Sequence, residues 1–116
     1  MEKTELVRRI KKALKYGLDT HSYDDLVAGL DSGAFQMFAD DDGVVVTEIR
    51  VAPQKRYLNI ILVAGELETL KNMQPRLIEF GRENGCEFIL GSGRLGWEKV
   101  ATPGWKKRWV SHTLDI

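Results

Sequence analysis

A cluster of polar side chains in the first part of the sequence contains residue types that bind metal ions. Asp19, His21, Asp24 and Asp25 lie within seven residues, and carboxylates and imidazole both ligate divalent cations. Their spacing matches no metal-binding loop, however. Ser22 followed by Asp25 approximates a helix capping box, which explains the same residues as a helix start. We therefore predict a helix cap here and no metal site.

A glycine motif occupies residues 91–96, where Gly91-Ser92-Gly93-Arg94-Leu95-Gly96 matches the Gly-x-Gly-x-x-Gly spacing of dinucleotide-binding loops. Such a loop opens a long helix inside a βαβ unit of about 30 residues. Here Pro103-Gly104 interrupts the chain within seven residues of the motif. The sequence therefore predicts a glycine-rich loop, whose Arg94 is available to an anion or a partner carboxylate.

The composition predicts one globular domain over residues 1–116, with 43% hydrophobic and 29% charged residues. Cys86 is the only cysteine, which excludes an intramolecular disulfide and any multi-cysteine metal site. The longest apolar run, around residues 58–65, is far shorter than the roughly 20 residues of a membrane-spanning helix. Because the N-terminal residues lead into a charged helix rather than a secretory signal, we expect a cytoplasmic protein without membrane contact.

Charge is banded along the chain although the totals balance at 17 Lys and Arg against 17 Asp and Glu. Residues 1–16 carry a net charge of +4, and residues 94–112 carry +4 as well. Residues 17–49 between them hold eight acids and no Lys or Arg. Such banding suits self-association or contact with a charged protein partner.

The C-terminal basic band is interleaved with tryptophans. Its candidate partner-binding residues are Arg94, Trp97, Trp105, Lys106, Lys107 and Arg108. Tryptophan and arginine are enriched at protein interfaces, but the same mixture can stack bases and hold phosphates. It also fits a small core that tryptophans close, with a basic rim. The acidic band favours a protein partner over nucleic acid.

Hydrophobic periodicity predicts two helices at the start of the chain. Leu6, Ile10 and Leu14 recur at helical spacing, over about residues 5–16, with Thr4 as the candidate N-cap. Ser22 then opens a shorter helix that ends near Gly33.

Three strands follow as an antiparallel meander. Residues 35–39 and 44–52 flank an Asp-Gly turn and form a hairpin. The unbroken apolar run 58–64 suits a central strand that is covered on both faces.

A β-α-β crossover is predicted after the meander. The helix covers residues 67–83, and Pro75 should kink or split it. A strand over residues 87–90 returns beside the central one. At most a short helix over residues 97–101 and a final strand over residues 109–114 complete the chain.

In this order the whole chain resembles the GNAT superfamily of N-acetyltransferases, either without its first strand alone or without both its first and its last strand. The likeness rests on the meander 35–64 that feeds the helix 67–83, on the helix-Gly-strand junction 80–86, and on Gly104-Trp105 where the superfamily commonly has Gly-Phe. The resemblance implies an α/β fold with a mixed sheet. A narrower likeness, to small GNAT-like proteins of tailed phages and prophages, runs through Thr20-His21-Ser22, Thr47-Glu48 and Gly93-Arg94-Leu95-Gly96-Trp97.

The resemblance also implies a place for acetyl-CoA, at the turn Val63-Ala64-Gly65-Glu66-Leu67-Glu68. In the superfamily this turn has the form Gln/Arg-x-x-Gly-x-Gly/Ala, and its amides bind the pyrophosphate. Here one glycine remains, and we expect Glu66 and Glu68, in the first helical turn, each to repel a diphosphate by about 1 to 4 kcal/mol. Val100 replaces the superfamily's frequent general acid, a tyrosine four residues before the Gly-Phe pair.

The sequence therefore favours a phage- or prophage-type GNAT-like domain that acts through protein contacts, in the host cytoplasm or in the virion, without a cofactor. The alternative is an active N-acetyltransferase with acetyl-CoA beside Val63, Ala64 and Gly65. In that alternative Glu48 is the general base, because superfamily bases often project from that hairpin. A third alternative is nucleic-acid binding by the basic aromatic C-terminus.

Overall fold

The computed structural model describes residues 1–92 and 104–116. Its helices and strands are, in chain order, α1 Lys3–Tyr16, α2 Tyr23–Ser32, β1 Phe35–Asp40, β2 Gly43–Val51, β3 Arg56–Gly65, α3 Thr69–Glu83 and β4 Ile89–Gly91. The predicted short helix over residues 97–101 lies outside the described residues.

The four strands form one mixed sheet in the order β1-β2-β3-β4. Neighbouring strands from β1 to β3 are antiparallel, which confirms the predicted meander. β4 pairs parallel with β3 after the crossover through α3, also as predicted. The mixed α/β class and the order of elements up to β4 are therefore those that the sequence predicts.

Helices cover both faces of the sheet. On one face α1 and α2 bury Ile10, Leu14 and Leu26 against Val44, Val46, Leu62 and Ala64. On the other face α3 buries Leu70, Met73 and Leu77 against Phe38, Val45, Leu58 and Ile60. β3 contributes to both clusters because successive side chains of a strand point to opposite faces. Its continuous apolar run thus belongs to a central strand.

A side-chain cap is present at the start of α2 and absent at the start of α1. α1 begins at Lys3 with Glu2 as N-cap and no side-chain capping bond, so the predicted Thr4 cap is wrong. α2 has the predicted box: the Asp25 N–H donates to Ser22 Oγ at 3.0 Å, and the Ser22 N–H donates to Asp25 Oδ2 at 2.9 Å. Gly33, at φ +83°, ends α2 in the left-handed conformation.

α3 is a single helix that contains Pro75, so the predicted split does not occur. A proline removes one backbone donor and leaves the carbonyl four residues earlier without it. Both Pro75 and Lys71, which carries that carbonyl, are exposed, so water can satisfy the group. The helix begins at Thr69 with Glu68 as N-cap, two residues later than predicted.

The predicted final strand over residues 109–114 is not formed. Residues 106–116 are all exposed and pair with no described strand. A β-prone sequence is not sufficient for a strand, because extended backbone needs a hydrogen-bonding neighbour. Trp105, just before them, is anchored: it packs against the α3 cluster, and its indole Nε1–H donates to Gln74 Oε1 at 2.9 Å.

Candidate functional site

β3 and β4 separate near the middle of β3. The pairing of β3 with β2 shifts register between Val46 and Thr47, which makes Ile61 the extra residue of a bulge. β4 pairs with β3 only as far as Ile60 opposite Gly91. Residues 61–65 consequently have no partner on the β4 side among residues 1–92 and 104–116. Bulges of this kind are frequent beside active sites, where they redirect a strand.

A cleft of about 200 Å³ opens at the level of this bulge. Its walls are the end of α1, the loop before α2, the strands β2 and β3, and the residue after β4. The lining residues are Leu14, Gly17, Thr20, His21, Arg50, Asn59, Ile60, Ile61 and Ser92. The volume is below that of pockets which bury drug-sized ligands. The cleft therefore fits a small polar group rather than a large molecule.

A hydrogen-bonded triad of side chains joins β2 and β3 beside the cleft. Glu48 and Arg50 share one face of β2 because they are two residues apart, and Asn59 lies directly opposite Glu48. Glu48 Oε1 accepts from Arg50 Nε at 2.7 Å and from Asn59 Nδ2 at 3.3 Å. The hydrogen bond to Glu48 raises the pKa of Arg50, so its guanidinium stays charged.

Glu48, the general base that the superfamily resemblance implies, is thus held by two residues that line the cleft. Its own side chain is only 19% exposed and is not among the lining residues. Both hydrogen bonds go to Oε1, and Oε2 bonds no group in the described part of the chain. Glu48 is placed to orient Arg50, and its second oxygen is available as an acceptor.

His21 is the titratable side chain of the cleft that sequence reasoning assigned to no catalytic role. Thr20 Oγ1 donates to Gly17 O at 3.3 Å and lies 3.0 Å from His21 Nδ1. Which of the two groups donates in the contact between Thr20 and His21 depends on the tautomer of the ring. Phe35 meets the His21 ring edge to face, with the ring centres 5.8 Å apart. The sequence signal was Thr20-His21, but only the fold brings it beside Arg50.

The turn between β3 and α3 is where the resemblance implies the cofactor's pyrophosphate. Gly65 has φ +125°, and a Cβ there would come within 2.3 Å of Asp42 O. The Glu66 N–H donates to the same Asp42 oxygen at 2.9 Å. In contrast, the amides of the next residues up to Lys71, Thr69 excepted, have no backbone acceptor among the described residues. These amides are the donors with which helix N-termini bind anions.

The two glutamates at this turn oppose an anion less than expected. Glu68 is the N-cap rather than a residue of the first turn. Glu66 lies 3.5 Å from Arg9 Nη1, and Glu68 lies 3.8 Å from Lys71 Nζ. Both carboxylates are more than half exposed, so solvent and their cationic partners screen them. The bare amides and the open edge of β3 therefore fit acetyl-CoA.

The other predicted site residues either do not line the cleft or lie outside the described residues. Val63 and Ala64 pack into opposite core clusters, so they offer a ligand their backbone only. Lys106, Lys107 and Arg108 are exposed and form no ion pair with a described residue. Arg94 and Trp97 lie outside the described residues.

The described ranges contain neither a cluster of metal-binding side chains nor a membrane-spanning helix. No group of three or more His, Cys, Asp or Glu side chains there is arranged to hold a metal ion. Asp25, for example, is engaged in the α2 capping box. No helix in those ranges is long and apolar enough to cross a membrane.

Solved structures with a similar fold are acetyltransferases. A crystal structure described as a probable acetyltransferase matches with a TM-score of 0.66 and 15% identity, over 100% of this chain and 95% of that chain. An acetyltransferase of Trypanosoma brucei matches with a TM-score of 0.60 and 15% identity, over 100% and 96%. A GNAT family acetyltransferase of Staphylococcus aureus matches with a TM-score of 0.60 and 10% identity, over 100% and 95%.

No protein-family model and no curated protein matches the sequence significantly. At identities of 15% and below, a structural likeness shows the fold and not the activity. The helices on both faces, the meander, the crossover and the full-length matches lead to one conclusion: this chain has the fold of the GNAT acetyltransferases.

Proposed function

We propose that this protein is an N-acetyltransferase that uses acetyl-CoA and acts on a small amine. The observation that carries the proposal is the polar cleft at the point where β3 and β4 separate. It combines an imidazole, a charged guanidinium and a buried amide at one opening, His21, Arg50 and Asn59. Proton transfer by a positioned imidazole is a common form of general base catalysis.

Two features would hold the cofactor. Among the described residues, the β3 edge at residues 61–65 is unpaired on the β4 side and offers backbone groups to an extended chain, and the amides at the start of α3 are available to bind an anion. Acetyl-CoA supplies the acetyl group as an activated thioester. Arg9 and Lys71 balance the charges of Glu66 and Glu68 near the turn, so the amide donors are the groups that attract a phosphate.

His21 is the proposed base. An ammonium group must lose a proton to become a nucleophile, and the ring tautomer in which Nδ1–H donates to Thr20 Oγ1 leaves His21 Nε2 as the proton acceptor. Arg50 would hold an anionic or carbonyl group of the acceptor. Glu48 would keep Arg50 in place through the 2.7 Å hydrogen bond. Glu48 as the base, with Oε2 as the accepting atom, is the alternative assignment.

A matched pair of histidine variants tests this assignment, because the sequence contains two histidines. We expect His21→Asn to lower kcat for acetyl transfer by about 100-fold or more. His112→Asn, at an exposed position, should leave the rate unchanged. A folded His21→Asn protein with an unchanged kcat would reject His21 as the base and leave Glu48→Gln as the next variant.

The function itself is tested separately from the base. Wild-type protein is supplied with acetyl-CoA and a panel of amines, and release of free CoA is followed with a thiol reagent. The proposal expects CoA release that depends on the amine. Absence of release with every amine, although acetyl-CoA binds, would contradict an acetyltransferase that acts on small amines.

The exposed basic run Lys106-Lys107-Arg108 supports a second proposal, a protein-contact role of the phage type that the sequence favours. These side chains have no acidic partner among the described residues, whereas the acidic band offers Asp24, Asp31 and Asp41 as exposed carboxylates. Reversing all three charges to Glu should abolish recovery of a partner in pull-downs from infected or induced cells. Unchanged recovery would contradict this role. Phage origin and a cytoplasmic or virion location remain predictions.

A further inference from the structure

The charged groups that line the cleft at the β3 bulge are of one sign. Arg50 is a cation, and none of the described lining residues is an acid. Glu48 lies beside the cleft but not in its wall, and its Oε1 accepts from both Arg50 and Asn59. A ligand with two or more cationic groups, such as a polyamine, would therefore find no carboxylate in this wall. A ligand with an anionic group would find a guanidinium.

The guanidinium of Arg50 is held in place and still has donors to offer. Its Nε–H donates to Glu48 Oε1 at 2.7 Å, and the Tyr57 hydroxyl is a second hydrogen-bonding neighbour. An arginine has five N–H donors in a fixed plane. The remaining donors of Arg50 bond to no residue in the described part of the chain. A guanidinium that is fixed in this way is oriented in advance to bind a carboxylate through two parallel hydrogen bonds.

Asn59 offers the complementary group, an acceptor for the N–H of an amine. Its Nδ2 donates to Glu48 Oε1 at 3.3 Å. This bond fixes the orientation of the amide, because an ionised carboxylate oxygen can only accept. Oδ1 of Asn59 is then an acceptor that no described residue uses. The wall of the cleft thus holds a donor group for an anion, on Arg50, and acceptors for an amine, on Asn59 and on His21, the proposed base.

We propose that the cleft binds a small amino acid, a molecule whose amine and carboxylate are one to three carbons apart, and that this is the acceptor substrate. Arg50 binds the carboxylate and Asn59 Oδ1 accepts an N–H of the amine. Acetylation of the bound amine rests on the function proposed above, whereas its binding does not. In the transfer step one ammonium proton passes to His21, and the nitrogen forms a bond to the acetyl carbon as the carbon–sulfur bond breaks. A second proton of the amine goes to the leaving thiolate.

Volume and charge restrict the ligand to a small carboxylate. A cleft of about 200 Å³ has room for a chain of a few carbons, which the apolar lining residues Leu14, Ile60 and Ile61 would contact. One guanidinium, already paired with Glu48, suits an anion of a single charge. A phosphate would bring up to two negative charges to the same cation, with the Glu48 carboxylate close behind it. The carboxylate is therefore the favoured anion.

The binding test compares matched pairs of ligands that differ only in charge. The pairs are glycine and glycinamide, β-alanine and β-alaninamide, and 4-aminobutanoate and its amide. Each is titrated into the full chain, alone and with CoA, while NMR follows the Arg50 Nε–H and Asn59 Nδ2 signals. The Arg50 side chain is about half exposed, so we expect millimolar dissociation constants. For at least one pair the acid should bind about 10-fold or more tighter than its amide.

Two further ligands and three variants sharpen this test. Putrescine, a diamine, and aminomethylphosphonate, the phosphonate analogue of glycine, should both bind more weakly than the preferred acid. Arg50→Gln should bring the ratio of acid to amide affinity to about 1, and Arg50→Lys should keep part of it. Arg82→Gln is the control, because Arg82 is exposed on α3 and is not a lining residue, and it should keep the full ratio.

Acetyl-transfer rates with the same pairs separate this inference from the function on which it rests. The amine of an amino-acid amide is less basic than that of the acid, so reactivity alone would favour the amide. A higher kcat/KM for the acid would therefore report binding by Arg50. Tighter binding of the acid without transfer to any amine would support the amino-acid site and reject the transferase. Equal binding of acid and amide in every pair, tighter binding of putrescine or the phosphonate, or an acid preference that survives Arg50→Gln would overturn the inference, even where amines are acetylated.

Discussion

Gly65 is the residue at which two turns of the molecule meet. Its φ of +125° is unfavourable for any residue with a side chain, and a Cβ would lie 2.3 Å from Asp42 O and 2.5 Å from Gly43 Cα. Both neighbouring atoms belong to the backbone, so neither can move aside cheaply. Gly65 therefore holds the β1–β2 turn against the start of α3, where the cofactor's phosphates are proposed to bind.

Replacing Gly65 tests this packing, and Gly33 provides a matched control. Gly33 also has a positive φ, +83°, but a Cβ there meets nothing within 4 Å. We expect Gly33→Ala to lower the free energy of unfolding by about 1 kcal/mol through conformation alone. Gly65→Ala should cost about 3 kcal/mol or more, because a backbone clash is added. Urea unfolding measures both, and equal costs would contradict the packing argument.

Glu48, beside the cleft, and His21, in its wall, illustrate what the sequence can and cannot show at this scale. Glu48 was identified through the resemblance, and the structure places it under Arg50 and Asn59. His21 was visible as a polar residue before a helix, but its proximity to Arg50 depends on contacts across the fold. Residue types suggest chemistry, whereas the position of a cleft follows from tertiary packing. Residues 21 and 50 are far apart in the sequence, and the fold brings both to the same cleft.

The capping box of α2 couples one helix to pH. Hydrogen bonds from the Ser22 backbone and hydroxyl lower the pKa of Asp25. A carboxyl whose pKa is lower in the folded protein stabilises it above the unfolded-state pKa, and this stabilisation is lost as pH falls through the folded-state pKa. Asp25 therefore contributes to stability at neutral pH and not in strong acid.

This coupling predicts a pH-dependent difference between variants. Asp25→Ala should be less stable than wild type at neutral pH, and the difference should shrink as the pH falls through the acid range of a carboxyl group. Asp24→Ala is the control, since Asp24 is also in the first turn but is absent from the box. Thermal melts across that pH range give the comparison. A gap that stays constant into strong acid would contradict the role of the ionised Asp25.

The elements of this fold differ in how far local sequence determines them. The α2 cap, the Asp-Gly hairpin and the apolar β3 run were predictable because each is a local pattern with a direct physical cause. The bulge at Ile61 and the short pairing of β4 were not predictable, because they depend on how strands align across the sheet. The expected strand over residues 109–114 was wrong for the same reason: its sequence favours extension, but no neighbouring edge is provided within the described chain.

At the scale of the whole molecule, two features of the described surface differ in polarity. One is the open seam between β3 and β4, with the polar cleft at its base. The other is the run of residues 109–116, in which Trp109 and Leu114 are exposed. The first is where the acceptor and the cofactor are proposed to bind. The acetyltransferase proposal and the protein-contact proposal use different residues and can therefore fail independently.

The net charge of the molecule and the local charges near the start of α3 have different consequences for anion binding. The totals are equal, so no net attraction to polyanions is expected. Local cations near the start of α3, Arg9 and Lys71, are paired with the glutamates that the sequence suggested would exclude a diphosphate. These cations screen the two glutamates, so the repulsion of a diphosphate is smaller than the glutamate charges alone suggest.

The measurement that tests the central claim most directly is a calorimetric titration of the purified protein with acetyl-CoA, repeated with CoA, at moderate salt. The account predicts saturable binding in the micromolar range, with one site per chain, and binding that weakens as salt rises because phosphate contacts contribute. No detectable heat at millimolar acetyl-CoA, with folded protein, would contradict it and leave a GNAT fold that functions without this cofactor.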